Sequence, residues 1–266
     1  MRATMLDYDF MRHAFVASGI VAVLAGFVGY FLVLRGQAFA GHALSHVGFA
    51  GATGAVLIGT SPLIGMIGVT VLGGVLMGAL GEKLAERDIA IGVILTFSLG
   101  LGLLFLHFFT AYATAATSLL FGDVLGVNLP MIYELLGLTV FSLGVLAVIS
   151  RPLLFASLNP ELAEAKGVSM RALGLVFLGL VGLTTAACAQ IVGVLLVFAL
   201  MVGPAATAQR LSNRVIPGFL LAAALALAEA WAGIALSYYT DWPASFWISS
   251  LSAGCYLLSL LSSFRT

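Results

Sequence analysis

Apolar residues run along this chain in blocks of about twenty, broken by charged and turn-forming residues rather than by a regular polar stripe. The hydrocarbon core of a bilayer takes about 20 apolar residues to cross as a helix, and inside it every backbone polar group must be satisfied within the helix or against protein. Cutting the chain at its charges and turn residues predicts nine spans: 13–34, 38–59, 62–81, 89–110, 130–150, 171–188, 190–209, 215–238 and 246–264. The second, sixth and seventh are short or rich in small residues, so eight spans with one re-entrant piece is the alternative. The predicted class is therefore all-α: a polytopic membrane protein of eight or nine transmembrane helices forming a single domain over residues 1–266. The opening "MRATMLDYDF" carries two aspartates, and no small-residue cleavage site precedes Arg35, so the first block is predicted to be a retained span rather than a removed signal.

Composition sharpens this picture. The chain is 62% hydrophobic and 8% charged, with a mean hydropathy of +1.16, far from the quarter of charged residues usual in soluble domains. Its formal net charge is zero and no Lys/Arg run forms a stripe, which excludes nucleic acid as a partner and leaves lipid as the surroundings. The two cysteines, Cys188 and Cys255, lie far apart in apolar runs and read as small buried hydrophobes. Basic residues in short loops stay in the cytoplasm. Nine spans with the amino terminus outside put Arg35, Lys83, Arg87, Arg151, Lys166, Arg171, Arg210, Arg214 and Arg265 inside, which is 9 of the 11 basic residues. Only Arg2 and Arg12 fall outside, and the outer loops 111–129 and 239–245 hold none.

The longest inner segment contains "LNPELAEAKGV", residues 158–168. Asn159 suits a helix cap, Pro160 its first position, Glu161 its dipole and Gly167 its end, which predicts a polar helix of about two turns. Such a helix is too short to cross. It is either a connecting loop or a docking knob for a cytoplasmic partner, with Glu161 and Glu164 as its exposed charges.

Five stretches together resemble one family. They are "FVGYFLVLRGQAFAGHALSHVGFAG" (27–51), "TSLLFGDVLGV" (117–127), "NPELAEAKGV" (159–168), "QIVGVLLVFALMVGPAATAQRL" (190–211) and "LSYYTDWPAS" (236–245). In this order they are similar to the permease subunits of bacterial ABC importers for zinc, manganese and iron ions. The resemblance implies a helical permease in the cytoplasmic (inner) membrane, N-terminus outside and C-terminus inside. It further implies a homodimer around a central path, cytoplasmic ATP-binding subunits that hydrolyse ATP, and an extracytoplasmic metal-binding lipoprotein that delivers the ion. The chain would then be a transport subunit and not an enzyme, binding no cofactor, with the metal as its substrate. Residues 159–168 would be the coupling helix, with Asn159, Pro160, Glu161, Glu164 and Gly167. The absence of a GxxxxGK[ST] loop agrees with ATP hydrolysis by a partner.

The candidate chemistry sits in "GHALSHVGFAGATGA", residues 41–55. His42 and His46, four apart, share one helix face with Ser45 beside it. Neutral imidazole is a good ligand for zinc, iron and manganese, and an ionisable residue inside a membrane marks function by default. The surrounding glycines and alanines let a neighbouring helix or a second copy approach closely. The competing reading has each histidine bonding a backbone carbonyl at a packed interface. The resemblance favours a transit site, because the pair stands where the family usually has aspartate and histidine. Here His42 replaces the aspartate, removing a hard oxygen ligand and a charge, and this shifts preference from manganese toward zinc.

Glu229, within "LALAEAWAGIAL", has no charged residue within a turn and must face a partner, water or the pathway, or carry a proton. His107 and Glu134 fall near the outer ends of their spans, and Asp123 and Asp241 in outer loops. Gly203 and Pro204 in "VGPAATA" break helix regularity, as a gate or as a packing kink, with Phe198 and Met201 read as lipid or core residues. The rival function is a stand-alone secondary transporter, expected to show coupling carboxylates at the midplane and internal repeats. Glu229 is the one good carboxylate, and the halves show no convincing repeat. A membrane-embedded metal hydrolase lacks its HExxH signature.

Overall fold

The computed structural model describes residues 5–80, 84–109 and 119–263. Among these lie a 3-10 turn at Met5–Asp7 and ten α-helices: α1 Asp9–Leu34, α2 Ala38–Leu57, α3 Pro62–Leu80, α4 Leu84–His107, α5 Leu129–Leu158, α6 Pro160–Ala165, α7 Met170–Val192, α8 Val197–Leu211, α9 Val215–Thr240 and α10 Ala244–Ser263. The described residues contain no strand. Arg2, Lys83, Arg265 and positions 111–118 of the expected outer loop lie outside them.

Seven helices are long and apolar enough to cross a bilayer: α1, α3, α4 from Asp88 onward, α5, α7, α9 and α10. The other two expected spans, α2 and α8, depart from that standard for different reasons. Helix α2 has the 20 residues needed but dilutes them with Gly, His, Ser and Thr. Helix α8 has only 15 residues, about 22 Å at 1.5 Å per residue, so the expected span 190–209 is corrected. Helix α7 runs on to Val192 and the chain then turns at Gly193, whose φ of +79° takes it out of the helix. Unpaired backbone is costly at such depth. The turn meets this requirement by donating from Val194 N to Leu119 O (3.3 Å) and from Leu195 N to Leu120 O (3.2 Å). The described part of the expected outer loop, from Leu119 onward, therefore folds back onto the α7–α8 turn, with Gly122 (φ +76°) against Gly193.

A second correction concerns the expected span 130–150, cut before Pro152. Helix α5 begins where Asn128 Oδ1 accepts from Met131 N at 3.0 Å and continues through Pro152 to Leu158. The proline deprives Val148 of its hydrogen bond. The extension is held nonetheless, because Leu153 and Ala156 are fully buried and Arg35 donates to Ser157 Oγ at 3.4 Å.

Helices α1 and α7 form the centre, each 72% buried over its most apolar window, whereas α4 and α10 are 22% and 17% buried and face outward. Helix α1 packs on α5, α7, α8 and α9, and α7 packs most closely on α3. The α3–α7 contact is made backbone to backbone: Gly74 lies on the Leu178 carbonyl and Gly182 on the Thr70 carbonyl. Polar side chains also bond across helices, Gln209 Nε2 donating to Tyr30 O at 2.8 Å in the part-buried α1–α8 contact and Trp231 Nε1 to Phe15 O at 3.0 Å at the surface. Both cysteines are free thiols, Cys188 buried and Cys255 half-buried.

Candidate functional site

Helix α2 is wedged among α3, α4, α7 and α8. Its glycines permit this: Gly51 rests on the Gly65 backbone of α3, Gly54 on the Phe105 ring of α4, and Gly48 on Thr70. From Ala40 to Thr53 every residue is fully buried except two, His42 and His46. These two imidazoles thus form the one strip of α2 that remains reachable over nearly four turns. Their rings lie edge to face with centroids 4.9 Å apart. His42 also meets the Phe198 ring in the first turn of α8 at 5.4 Å, a contact across 156 positions that no local pattern announced. Ser45 does not join them, because its hydroxyl donates back to Gly41 O at 3.2 Å.

The competing structural role for these histidines, hydrogen bonding to backbone carbonyls, is not what they do. Neither imidazole hydrogen-bonds to a described residue, and His46 Nδ1 is buried without a partner. An unsatisfied buried nitrogen costs about 1–3 kcal/mol, so packing alone does not account for this ring. Among the described residues no three His, Cys, Asp or Glu side chains converge as a metal site. One chain therefore offers two nitrogen donors, enough to hold an ion briefly but not to bind it tightly.

Glu229 is 3% exposed on α9 and is not drawn into that pair. It lies against Ser252 and Cys255 of α10, yet both of its oxygens lack a well-formed hydrogen bond, since Ser252 Oγ donates to Ala199 O at 3.0 Å. Gly203 packs directly on that same Ser252, so the glycine serves the α8–α10 contact, while Pro204 is buried inside α8. A cavity of about 360 Å3 between α8 and α10 is lined by Phe198, Gly203 and Ser252 and so runs from the neighbour of His42 toward the neighbour of Glu229. His107 and Glu134 are exposed, as expected of span ends. Asp123 Oδ1 accepts from Gly126 N at 2.9 Å, and Asp241 closes α9 in the left-handed region at φ 56°.

At the opposite end, α6 projects from the junction of α5 and α7. Pro160 opens it, Glu161 stands in its first turn, and Gly167 leaves it at φ +83°. Asn159 occupies the cap position, but its side chain makes no capping bond, which corrects that expectation. The residue is shared between the end of α5 and the start of α6, with its N–H donating to Phe155 O (2.9 Å) and its carbonyl accepting from Ala163 N (3.0 Å). Only Ala163 of α6 is buried; Glu161, Glu164 and Leu162, the last 55% exposed, face outward.

Comparison with known proteins follows the same lines. The model of the ABC 3 transport family matches residues 7–263. The chain is similar to the manganese transport system membrane protein MntC of Halalkalibacterium halodurans, 32% identical over 238 residues that cover 89% of this chain and 82% of that protein. It is similar to the manganese import system permease protein ScaB of Streptococcus gordonii, 28% identical over 257 residues that cover 95% and 91%. Among solved structures, PsaBC from Streptococcus pneumoniae in complex with Fab superposes with a TM-score of 0.86 at 25% identity, covering 96% of this chain and 92% of that one.

Proposed function

The chain belongs to the ABC 3 transport family and is a multi-pass permease of a metal ABC importer, not itself an enzyme, and from this we propose that a divalent transition-metal ion crosses it past His42 and His46. The observation that carries this reading is the partial exposure of those two imidazoles, and of no other residue, on the otherwise buried stretch of α2 from Ala40 to Thr53. Two donors per chain favour a homodimer in which the pairs of both copies face one path. Four nitrogens would match the tetrahedral preference of zinc, and weak, exchangeable donors suit an ion that must leave again.

The donor set supports one choice of transported ion. Imidazoles without a carboxylate suit zinc better than manganese, while the names of MntC and ScaB favour manganese as the second reading. The His42→Asp variant separates the two. Restoring the carboxylate is expected to shift competition for uptake toward manganese by about tenfold, measured with labelled zinc and manganese in the same cells; an unchanged ratio would remove His42 from selectivity.

Energy would come from cytoplasmic ATP-binding subunits seated on α6, with an extracytoplasmic metal-binding lipoprotein delivering the ion at the opposite face. In this orientation, amino terminus outside and carboxyl terminus inside, the α6 end carries Arg35, Arg151, Lys166, Arg171, Arg210 and Arg214, as basic residues in short cytoplasmic loops should. Closure of the ATPases would push α6 as a rigid body and turn the dimer from outward to inward opening. Membership of an ABC family favours this mechanism over an ion-gradient-driven transporter. Replacing Glu161, Leu162 and Glu164 together with alanine is expected to abolish co-purification of the ATPase subunit while the permease stays folded. Undiminished co-purification would place the docking site elsewhere.

A further inference from the structure

A second site lies away from the histidines, between α1, α5 and the start of α9. A groove of about 590 Å3 there is lined mainly by apolar side chains, among them Phe27, Phe31, Leu146 and Phe219, and one of its ends holds Ser150 and Arg151. That volume is in the range of about 300–1,000 Å3 usual for small-ligand sites. The groove opens onto surface that faces lipid: Val140 and Val148 of α5 and Ile216 and Leu220 of α9 flank it, each more than half exposed.

The charge at its end is unanswered among the described residues. Arg151 is exposed and makes no ion pair among the described residues, where the acid–base contact formed is Arg12 with Asp9 at 3.6 Å. Ser150 Oγ is committed to Ala147 O at 2.8 Å, which leaves the guanidinium as the groove's ligand-facing polar group. Arg214, next to the lining residue Val215, adds a second exposed cation at the same end. An apolar trough ending in cations at the rim of a bilayer complements one chemistry, an acyl chain ending in an anionic headgroup. We infer that this groove binds an anionic phospholipid of the cytoplasmic leaflet, its chain lying over the floor formed by the contacting Phe31 and Phe219 rings and its phosphate on Arg151. The bound lipid would brace α5, the helix that carries α6, against α1 and α9. The choice of leaflet rests on the orientation given above.

The test is native mass spectrometry of the protein released from nanodiscs of phosphatidylcholine and phosphatidylglycerol in equal parts. The expected result is retained phosphatidylglycerol in excess over phosphatidylcholine, reduced about fivefold in Arg151→Gln and kept in Arg151→Lys. Filling the trough with Ala147→Trp should remove both adducts, and Ala147→Leu serves if the larger ring prevents folding. Equal retention of the two lipids, or an adduct indifferent to Arg151→Gln, overturns the inference. So does an Ala147→Trp chain whose spectrum loses dimer rather than lipid, which would mean a second copy covers the groove. Sidedness is read separately, from reaction of Ser169→Cys, in a Cys255→Ser background, with an impermeant maleimide in inverted but not right-side-out vesicles. Failure of that arm alone would move the lipid to the other leaflet and reverse the orientation while leaving the groove occupied.

Discussion

Replacing both His42 and His46 with alanine is expected to reduce metal uptake to background while the permease still inserts and still co-purifies with its ATPase. An ion entering a low-dielectric interior surrenders hydration that something must replace. The two imidazoles are the donors α2 leaves reachable, and with both gone that replacement is lost. The fold should tolerate the change, because neither ring hydrogen-bonds to a described residue and His46 Nδ1 is already unpaired. Their removal orphans no partner and opens no closed core. Labelled-metal uptake in cells, read beside a pull-down on the same membranes, separates transport from assembly. Uptake that survives in the double variant would rule out the transit role outright.

The second large effect lies in the fold. A Gly182→Leu substitution is expected to abolish recovery of monodisperse protein in detergent, and Gly182→Ala to destabilise it by about 1–3 kcal/mol. A Cβ at position 182 would run into the Thr70 carbonyl, as one at Gly74 would run into that of Leu178. Backbone cannot rotate aside as a side chain can, so α3 and α7 would have to part along their whole contact. Gly137 and Gly144 on the outward face of α5 supply the contrast, since a methyl there meets nothing within 4 Å. Alanine at either should be neutral or stabilising by up to about 1 kcal/mol, through helix propensity. Thermal unfolding in detergent measures the three alanine variants, and equal losses at positions 182 and 137 would contradict this packing.

The distance between sequence and structure is set by which contacts are local. Block length alone places α1, α3, α4, α9 and α10 to within a few residues, because the bilayer imposes one length on every crossing helix. The errors fall where tertiary contacts override local propensity. The span cut at 150 stops before Arg151 and Pro152, yet burial of Leu153 and Ala156 carries α5 past both. The run 190–209 looks like one apolar span, yet Gly193 turns out of the helix because residues 119–120 wait to accept its neighbours' hydrogen bonds. At the site, the shared face of His42 and His46 followed from their spacing. Phe198, read as ordinary lipid or core, proved to be a direct neighbour of His42. Gly203, read as a gate or a kink, proved to sit on Ser252, which also lies beside Glu229. No residue within a turn of these positions encodes such pairings, which arise from the order in which α2, α8, α9 and α10 pack.

The central claim, that these imidazoles carry the ion across, is tested most directly in proteoliposomes holding the permease with its ATPase and binding protein. The measurement is ATP-dependent accumulation of labelled zinc or manganese alongside ATP hydrolysis. The wild-type complex should accumulate metal and hydrolyse ATP faster when metal-loaded binding protein is present. The His46→Ala complex should keep its basal hydrolysis but lose both the stimulation and the accumulation. Accumulation by His46→Ala at the wild-type rate would contradict the claim.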